Sequence, residues 1–208
     1  MIDMSVPAVG FDLDMTLIDS RPGIAATFRA LTGLTGVHVD AEAAVARLGP
    51  PLRHEIRRWF PEDQVEEAVR EYRALYPGYA IAPSVLLPGV VAALAAVRAR
   101  GLRVVVVTAK LGRLARLHLN HVGLVVDELA GDLFAEEKAA AFIRHGAVLY
   151  VGDYVADMVA ARTAGVPGMG VATGPCTADE LGEAGAAVVL GDLTGFPAAL
   201  HRLVRLAL

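Results

Sequence analysis

The chain of 208 residues has a single cysteine, Cys176, and only two lysines, Lys110 and Lys138, beside 17 arginines. A lone cysteine excludes an intramolecular disulfide and a cysteine-built zinc cluster, and it fits a reducing, cytoplasmic setting. Long apolar runs are missing too: the stretch Val104 to Val107 falls far short of the roughly 20 residues that a membrane-spanning helix needs. Met1 to Phe11, acidic at Asp3, lacks the basic start and extended apolar stretch of a secretory signal. Charge of one sign is also absent. The 19 basic and 23 acidic side chains intermix to a net charge of −4, which leaves no field to recruit nucleic acid or an anionic membrane. A small dissolved partner is expected, with the oligomeric state left open. The scarcity of lysine singles out the two that remain, because a compact ammonium does work that arginine's broad planar fork cannot.

What the chain has in quantity is apolar side chains, 55% of the total, enough for one packed core and a modest second lobe. They fall in short runs: Ala8 to Phe11, Leu102 to Val107, Ala147 to Val151, Gly168 to Ala172 and Ala187 to Leu190. Valine-rich runs that do not alternate suit parallel strands buried on both faces. Helical patterns ending at glycine lie between them, at Val90 to Arg100, Leu111 to Val122, Lys138 to His145 and Asp157 to Ala164. Thr177 and Glu180 have capping-box spacing for a further helix. The pattern predicts a doubly wound, Rossmann-like α/β sheet.

Residues 18 to 84 interrupt that alternation with helical patterns and no convincing strand. One helix is expected over Pro22 to Leu31 and another from Pro61 to about Tyr76, with Val65, Ala68, Val69, Tyr72 and Leu75 on one face. Pro77-Gly78, Pro83-Ser84 and Pro88-Gly89 mark a return linker. The expected division is an α/β core, residues 1–17 and 85–208, with a helical lobe, residues 18–84, inserted into it.

Asp12 and Asp14 follow the first strand, and ligand sites of parallel sheets form at the carboxyl ends of strands. Alternation in an extended segment directs both side chains into one small site. Taken alone, two such aspartates are better read as turn residues. Other strand ends change the balance. One carries Thr108 and another carries Asp153 and Asp157 in Gly152-Asp153-x-x-x-Asp157, with Lys138 ahead of that strand. Four carboxylates at one sheet edge repel each other without a hard cation, and oxygen ligands of this kind suit Mg2+.

Phe11-Asp12-Leu13-Asp14-Met15-Thr16-Leu17, Thr108, Lys138 and Gly152-Asp153-x-x-x-Asp157 together resemble the four ordered motifs of the haloacid dehalogenase (HAD) superfamily, in particular its phosphoglycolate phosphatase-like branch. The resemblance spans nearly the whole chain and implies a cap inserted after the first motif, where the helical lobe was placed independently. It implies that Asp12 is a nucleophile forming an aspartyl-phosphate and that Asp14 is the acid, then the base, of a Mg2+-dependent phosphatase. Thr108 and Lys138 would hold the phosphoryl group, and Asp12, the backbone carbonyl of Asp14, Asp153 and Asp157 would surround the metal. Dehalogenases and phosphonate-cleaving relatives lack the second aspartate, so Asp14 points to a small phosphate monoester, phosphoglycolate-like or a sugar phosphate.

Two positions depart from the family pattern: Ala109 stands where many relatives have asparagine, and Lys138 is followed by three alanines and not by a proline-containing stretch. Lys110 therefore competes for the lysine role, although it is read as lying on the outer turn of its helix. Leu48-Gly49-Pro50-Pro51-Leu52 resembles a substrate-facing cap loop, and Arg53 beside it is a candidate for a substrate carboxylate. His118 and His121 read as surface positions, Trp59 and Phe60 as cap packing, and Cys176 as a bystander. A phosphosugar mutase of the same superfamily shares both aspartates and stays open, as does a noncatalytic phosphate-responsive signalling or binding module.

Overall fold

In the computed structural model, which describes residues 6–204, the first strand already shows why the sheet lies at the centre. Residues 1–5, with Asp3, and 205–208, both assigned to the α/β core from the sequence, lie outside the described residues. In β1 (Ala8–Phe11), Val9 and Phe11 join one apolar cluster while Ala8 joins another on the opposite face. A strand buried on both faces cannot alternate with polar residues, which explains its continuous apolar sequence.

The remaining strands are β2 (Ile18–Asp19), β3 (Val85–Leu86), β4 (Arg103–Val107), β5 (Glu128–Ala130), β6 (Ala147–Gly152), β7 (Gly168–Val171) and β8 (Val188–Leu190). All but β2 and β3 form one parallel sheet in the order β5-β4-β1-β6-β7-β8, and β2 pairs with β3 as a small antiparallel ribbon. The helices are α1 (Arg21–Thr35), α2 (Ala41–Val45), α3 (Leu52–Ile56), α4 (Val65–Tyr79), α5 (Val90–Arg98), α6 (Gly112–His121), α7 (Glu136–Arg144), α8 (Val155–Thr163), α9 (Ala178–Glu183) and α10 (Phe196–Val204). Residues of α5, α6 and α10 cover one face of the sheet, and α7 with α8 covers the other. This is the doubly wound α/β architecture that the apolar runs predict. No helix of the described residues is long and apolar enough to cross a membrane.

Helices α1 to α4 gather around a third apolar cluster, where the rings of Phe28 and Tyr72 approach to 4.6 Å. Leu114 of α6 belongs to the same cluster, so these helices are seated directly on the sheet's helical layer. The segment departs from the sequence in several places: Ile18–Asp19 forms strand β2 where no strand was expected, and α1 runs on to Thr35, past Leu31. Pro77 and Gly78 lie inside α4, not in a linker, because proline removes only one backbone donor near the helix end, and Ala80 still donates to the Tyr76 carbonyl at 2.8 Å. Short elements escaped notice for a different reason: the three-residue strand β5 and the five-residue α2 and α3 carry too few residues to display a period.

At Gly23, α1 passes so close to the end of α4 that a Cβ would stand 2.3 Å from the Ala80 carbonyl oxygen. Backbone cannot yield as a flexible side chain does, so Gly23→Ala should destabilise the fold by about 1–3 kcal/mol through overpacking. Denaturant unfolding checks this, and an unchanged midpoint would remove the close approach from the account.

Candidate active site

The loop after β1 is tied at both ends. The Asp12 N–H donates to the Val151 carbonyl at 2.9 Å, which extends the pairing with β6 by one residue, and the Met15 N–H reaches the Ile18 carbonyl at 2.9 Å. Met15 lies between them with φ 56°, a left-handed conformation uncommon for a residue other than glycine, and is nevertheless buried. Thr173, in the loop after β7, donates its hydroxyl to the Met15 carbonyl and braces the turn from the far side. The backbone therefore fixes where Asp12 and Asp14 point.

Both aspartates line one cavity of about 380 Å³, as do Thr108 and Asp153. Within it they have different company. Asp12, Asp153 and Asp157 present oxygens within 4.8 Å of one another, all three residues being buried. The Asp14 carboxylate is outside that trio and accepts instead from Lys110 Nζ at 2.6 Å and the Ser20 hydroxyl at 2.5 Å. Thr16 donates its hydroxyl to Asp153 at 3.0 Å, and the backbone at Gly174 crowds the same carboxylate so closely that no side chain fits there. Lys138 stands 3.2 Å from Asp12 and 2.7 Å from Asp157, and Tyr150 is 3.2 Å from its ammonium. Asp157 also accepts from the Tyr154 N–H at 3.3 Å, at the start of α8.

One lysine among three buried carboxylates leaves the cluster short of positive charge. Burial lifts the Asp12 pKa to about 6 despite Lys138, with Asp157 and Asp14 adding to the rise. Burial, then Asp12 and Asp157, raises Asp153 well above the usual carboxylate range. For Lys138 burial opposes the charge, but Asp12 and Asp157 outweigh it and hold the ammonium protonated. Carboxylate oxygens, converging and underneutralised, are the donor set of a hard divalent cation, and the residues present fit one.

Lys110 belongs to this site as well. It occupies the turn between β4 and α6, not the outer turn of a helix, and its side chain is buried against Asp14. Burial alone would raise the Asp14 pKa, yet Lys110, His118 and the Ser20 hydrogen bond together outweigh it and lower the value. Its ammonium also donates to the hydroxyl of Tyr76, from α4, which in turn lies 3.0 Å from Nε2 of His118. His118 is fully buried and not at the surface, and burial lowers its pKa to about 3, so it is a neutral ring. Its place on the buried face of α6 was readable from Leu114 and Ala115, one turn earlier, and from Leu119 beside it. His121 is exposed. Arg53 reaches the cavity wall but is engaged with Glu66 of α4. Trp59 donates to Glu55 at 2.8 Å and Phe60 is buried among the helices, while Cys176 has a thiol raised mainly by burial.

The family model for haloacid dehalogenase-like hydrolases matches residues 9–164, which carry all seven residues singled out for the site. The chain belongs to the haloacid dehalogenase-like hydrolase family. A probable phosphatase, IndB, of Dickeya dadantii is 32% identical over 97% of this chain and 96% of its own. A phosphoglycolate phosphatase of Rhodospirillum rubrum is 30% identical over 91% of each chain. Among solved structures, a haloacid dehalogenase-like family protein of Streptococcus pneumoniae matches with a TM-score of 0.81 and 24% identity, covering 97% of this chain and all of its own, which shows the shared fold. In this haloacid dehalogenase-like chain the aspartates after β1 and β6 are brought to one sheet edge because β1 lies between β4 and β6.

A raised pKa means that the fold holds the proton of Asp12 more tightly than the unfolded chain does. Its contribution is present below about pH 4 and is lost as pH rises through about 6. In metal-free protein, Asp12→Asn should therefore gain thermal stability relative to wild type across that window, and divalent cation should narrow the gap above it. Thermal melts with and without cation read this; a gap independent of pH would contradict the charge deficit.

Proposed function

We propose that the protein is a magnesium-dependent phosphatase of small phosphate monoesters, with Asp12 as nucleophile and Asp14 as acid and base. The observation that carries this is the separation of the two aspartates within one cavity: each faces a different one of the two lysines. Two carboxylates in unlike surroundings are suited to unlike tasks.

In the first step an Asp12 oxygen attacks phosphorus, the ester P–O bond breaks, and Asp14 delivers a proton to the departing alcohol oxygen. In the second, Asp14 takes a proton from water, the water oxygen bonds to phosphorus, and phosphate leaves as Asp12 is restored. Thr108, at the end of β4, donates its hydroxyl to a phosphoryl oxygen, and Lys138 balances the charge that gathers on Asp12 and the phosphate. Mg2+ held by Asp12, Asp153, Asp157 and the Asp14 carbonyl would offset the negative charge shared by the phosphoryl group and the carboxylates.

Lys110 poses a requirement of its own, since it keeps Asp14 ionised while an acid must carry a proton. An arriving phosphate dianion meets that requirement in two ways: it raises the proton affinity of the neighbouring carboxylate, and it offers Lys110 a competing anion. The acid is thereby armed when substrate is present.

Residues 18–84 serve as the cap in this reading, with residues 1–17 and 85–208 as the catalytic core. The contact of His54 with Phe134 at 6.4 Å between ring centres brings α3 over the cavity, and Arg53 stands where the outer end of a substrate would lie. Phosphoglycolate and sugar phosphates are the natural first substrates to assay.

Asp12→Asn should abolish Mg2+-dependent turnover of every phosphate ester, and undiminished turnover would sink the nucleophile assignment. Asp14→Asn separates acid chemistry from binding. It should lose about 10²–10⁴-fold on alkyl phosphates, whose leaving alcohols need a proton, and far less on p-nitrophenyl phosphate, whose leaving group does not. Equal losses on both would assign Asp14 another role. Lys138→Ala should cost more activity than Lys110→Ala, because it leaves Asp12 and Asp157 buried without a counter-charge.

A further inference from the structure

Beyond the catalytic residues, the cavity is lined by charged groups paired with one another, by a few uncharged polar side chains and by an apolar stretch of wall. Four arginines reach it, and each has a carboxylate partner. Arg47 meets Glu55 at 2.5 Å, Arg53 donates to Glu66 at 2.7 Å, Arg70 pairs with Glu67, and Arg73 lies 3.9 Å from Asp132. A substrate carboxylate at any of them must displace a carboxylate already present, exchanging one ion pair for another with no net gain. The hydroxyl of Tyr76 is likewise occupied, by Lys110 and His118. The apolar part of the inner wall comes from Ile24, Phe28, Leu48, Val69, Leu111 and Leu114, and His54 and Tyr72 beside them bring two further polar groups, fewer than the hydroxyls of a sugar.

Volume bears on the same point. At about 380 Å³ the cavity falls in the range of sites that enclose whole drug-sized ligands, far more than a two-carbon acid fills. Apolar wall gains from an apolar occupant, and buried hydroxyls without partners are penalised.

We propose that the phosphate ester taken by this site has an uncharged leaving group with an apolar, ring-sized body, and that short phosphorylated acids and sugar phosphates are poorer substrates. The proposal rests on the phosphatase reading and narrows it to a substrate class. Recognition is by exclusion of competitors as much as by attraction: the paired rim refuses a second anion, and the wall refuses a polyol.

The test is steady-state kinetics of the full chain with Mg2+ on primary-alkyl esters of comparable leaving ability: 2-phenylethyl phosphate, phosphoglycolate, glycerol 3-phosphate and glucose 6-phosphate. Acetyl phosphate, which has almost no body to recognise, serves as a reporter of phosphatase chemistry alone. The expected result is a kcat/KM for 2-phenylethyl phosphate at least about tenfold above the other three esters, the scale on which apolar pockets discriminate. Glu66→Gln, which releases Arg53, should raise kcat/KM for phosphoglycolate relative to 2-phenylethyl phosphate. Turnover of acetyl phosphate with any of the other three esters equal to or ahead of 2-phenylethyl phosphate overturns the substrate class and leaves the phosphatase reading intact. No turnover of any of the five, acetyl phosphate included, overturns both.

Discussion

Three buried carboxylates facing one buried lysine impose the constraint on which the rest of the structure depends. Asp12, Asp153 and Asp157 converge around Lys138 with negative charge in excess. Unpaired charge in a water-poor site is costly, so the surrounding fold must hold the cluster together and leave it a way to be neutralised. Hydrogen bonds from Thr16, Tyr154 and the Leu13 backbone hold it. A divalent cation or a proton would neutralise it, and the proposed phosphate transfer calls for both.

Sheet order converts this constraint into geometry. With β1 between β4 and β6, residues at the three strand ends lie side by side: Asp12 after β1, Thr108 after β4 and Asp153 after β6. The helices α1 to α4 then close over that edge. Tyr76 of α4 reaches down to Lys110, so the inserted helices and Asp14 are joined by a hydrogen-bonded chain through His118, Tyr76 and Lys110. Movement of α4 would disturb the partner of Asp14 directly, which gives substrate entry a physical route to the chemistry.

Much of this is written in the sequence where one physical requirement dominates a segment. The five principal strands are legible because burial on both faces demands unbroken apolar runs, and Thr177 with Glu180 forms the capping box that its spacing implies, at 2.7 and 3.2 Å. The aspartates, Thr108 and Lys138 are legible because strand ends converge. Lys110 and His118 are less so, since their importance comes from contacts distant in sequence. Lys110 meets an aspartate almost a hundred positions earlier, and His118 meets a tyrosine of an inserted helix. Scarcity of lysine was nevertheless a usable signal: with arginine at nearly every other cationic position, both lysines proved to be buried against aspartates. Of the ion-paired arginines of the cavity rim, Arg70 meets Glu67 within α4, but Arg47, Arg53 and Arg73 were not foreseeable, because each of their pairs joins separate turns or helices.

The most direct test of the central claim is to trap the covalent state. Protein mixed with a turned-over phosphate ester and Mg2+, quenched in acid during steady state and digested, should yield a phosphorylated peptide bearing the modification at Asp12. Hydroxylamine should remove it, as expected for an acyl phosphate. Phosphate found on another residue, or rapid turnover with no modified peptide at all, would contradict the account.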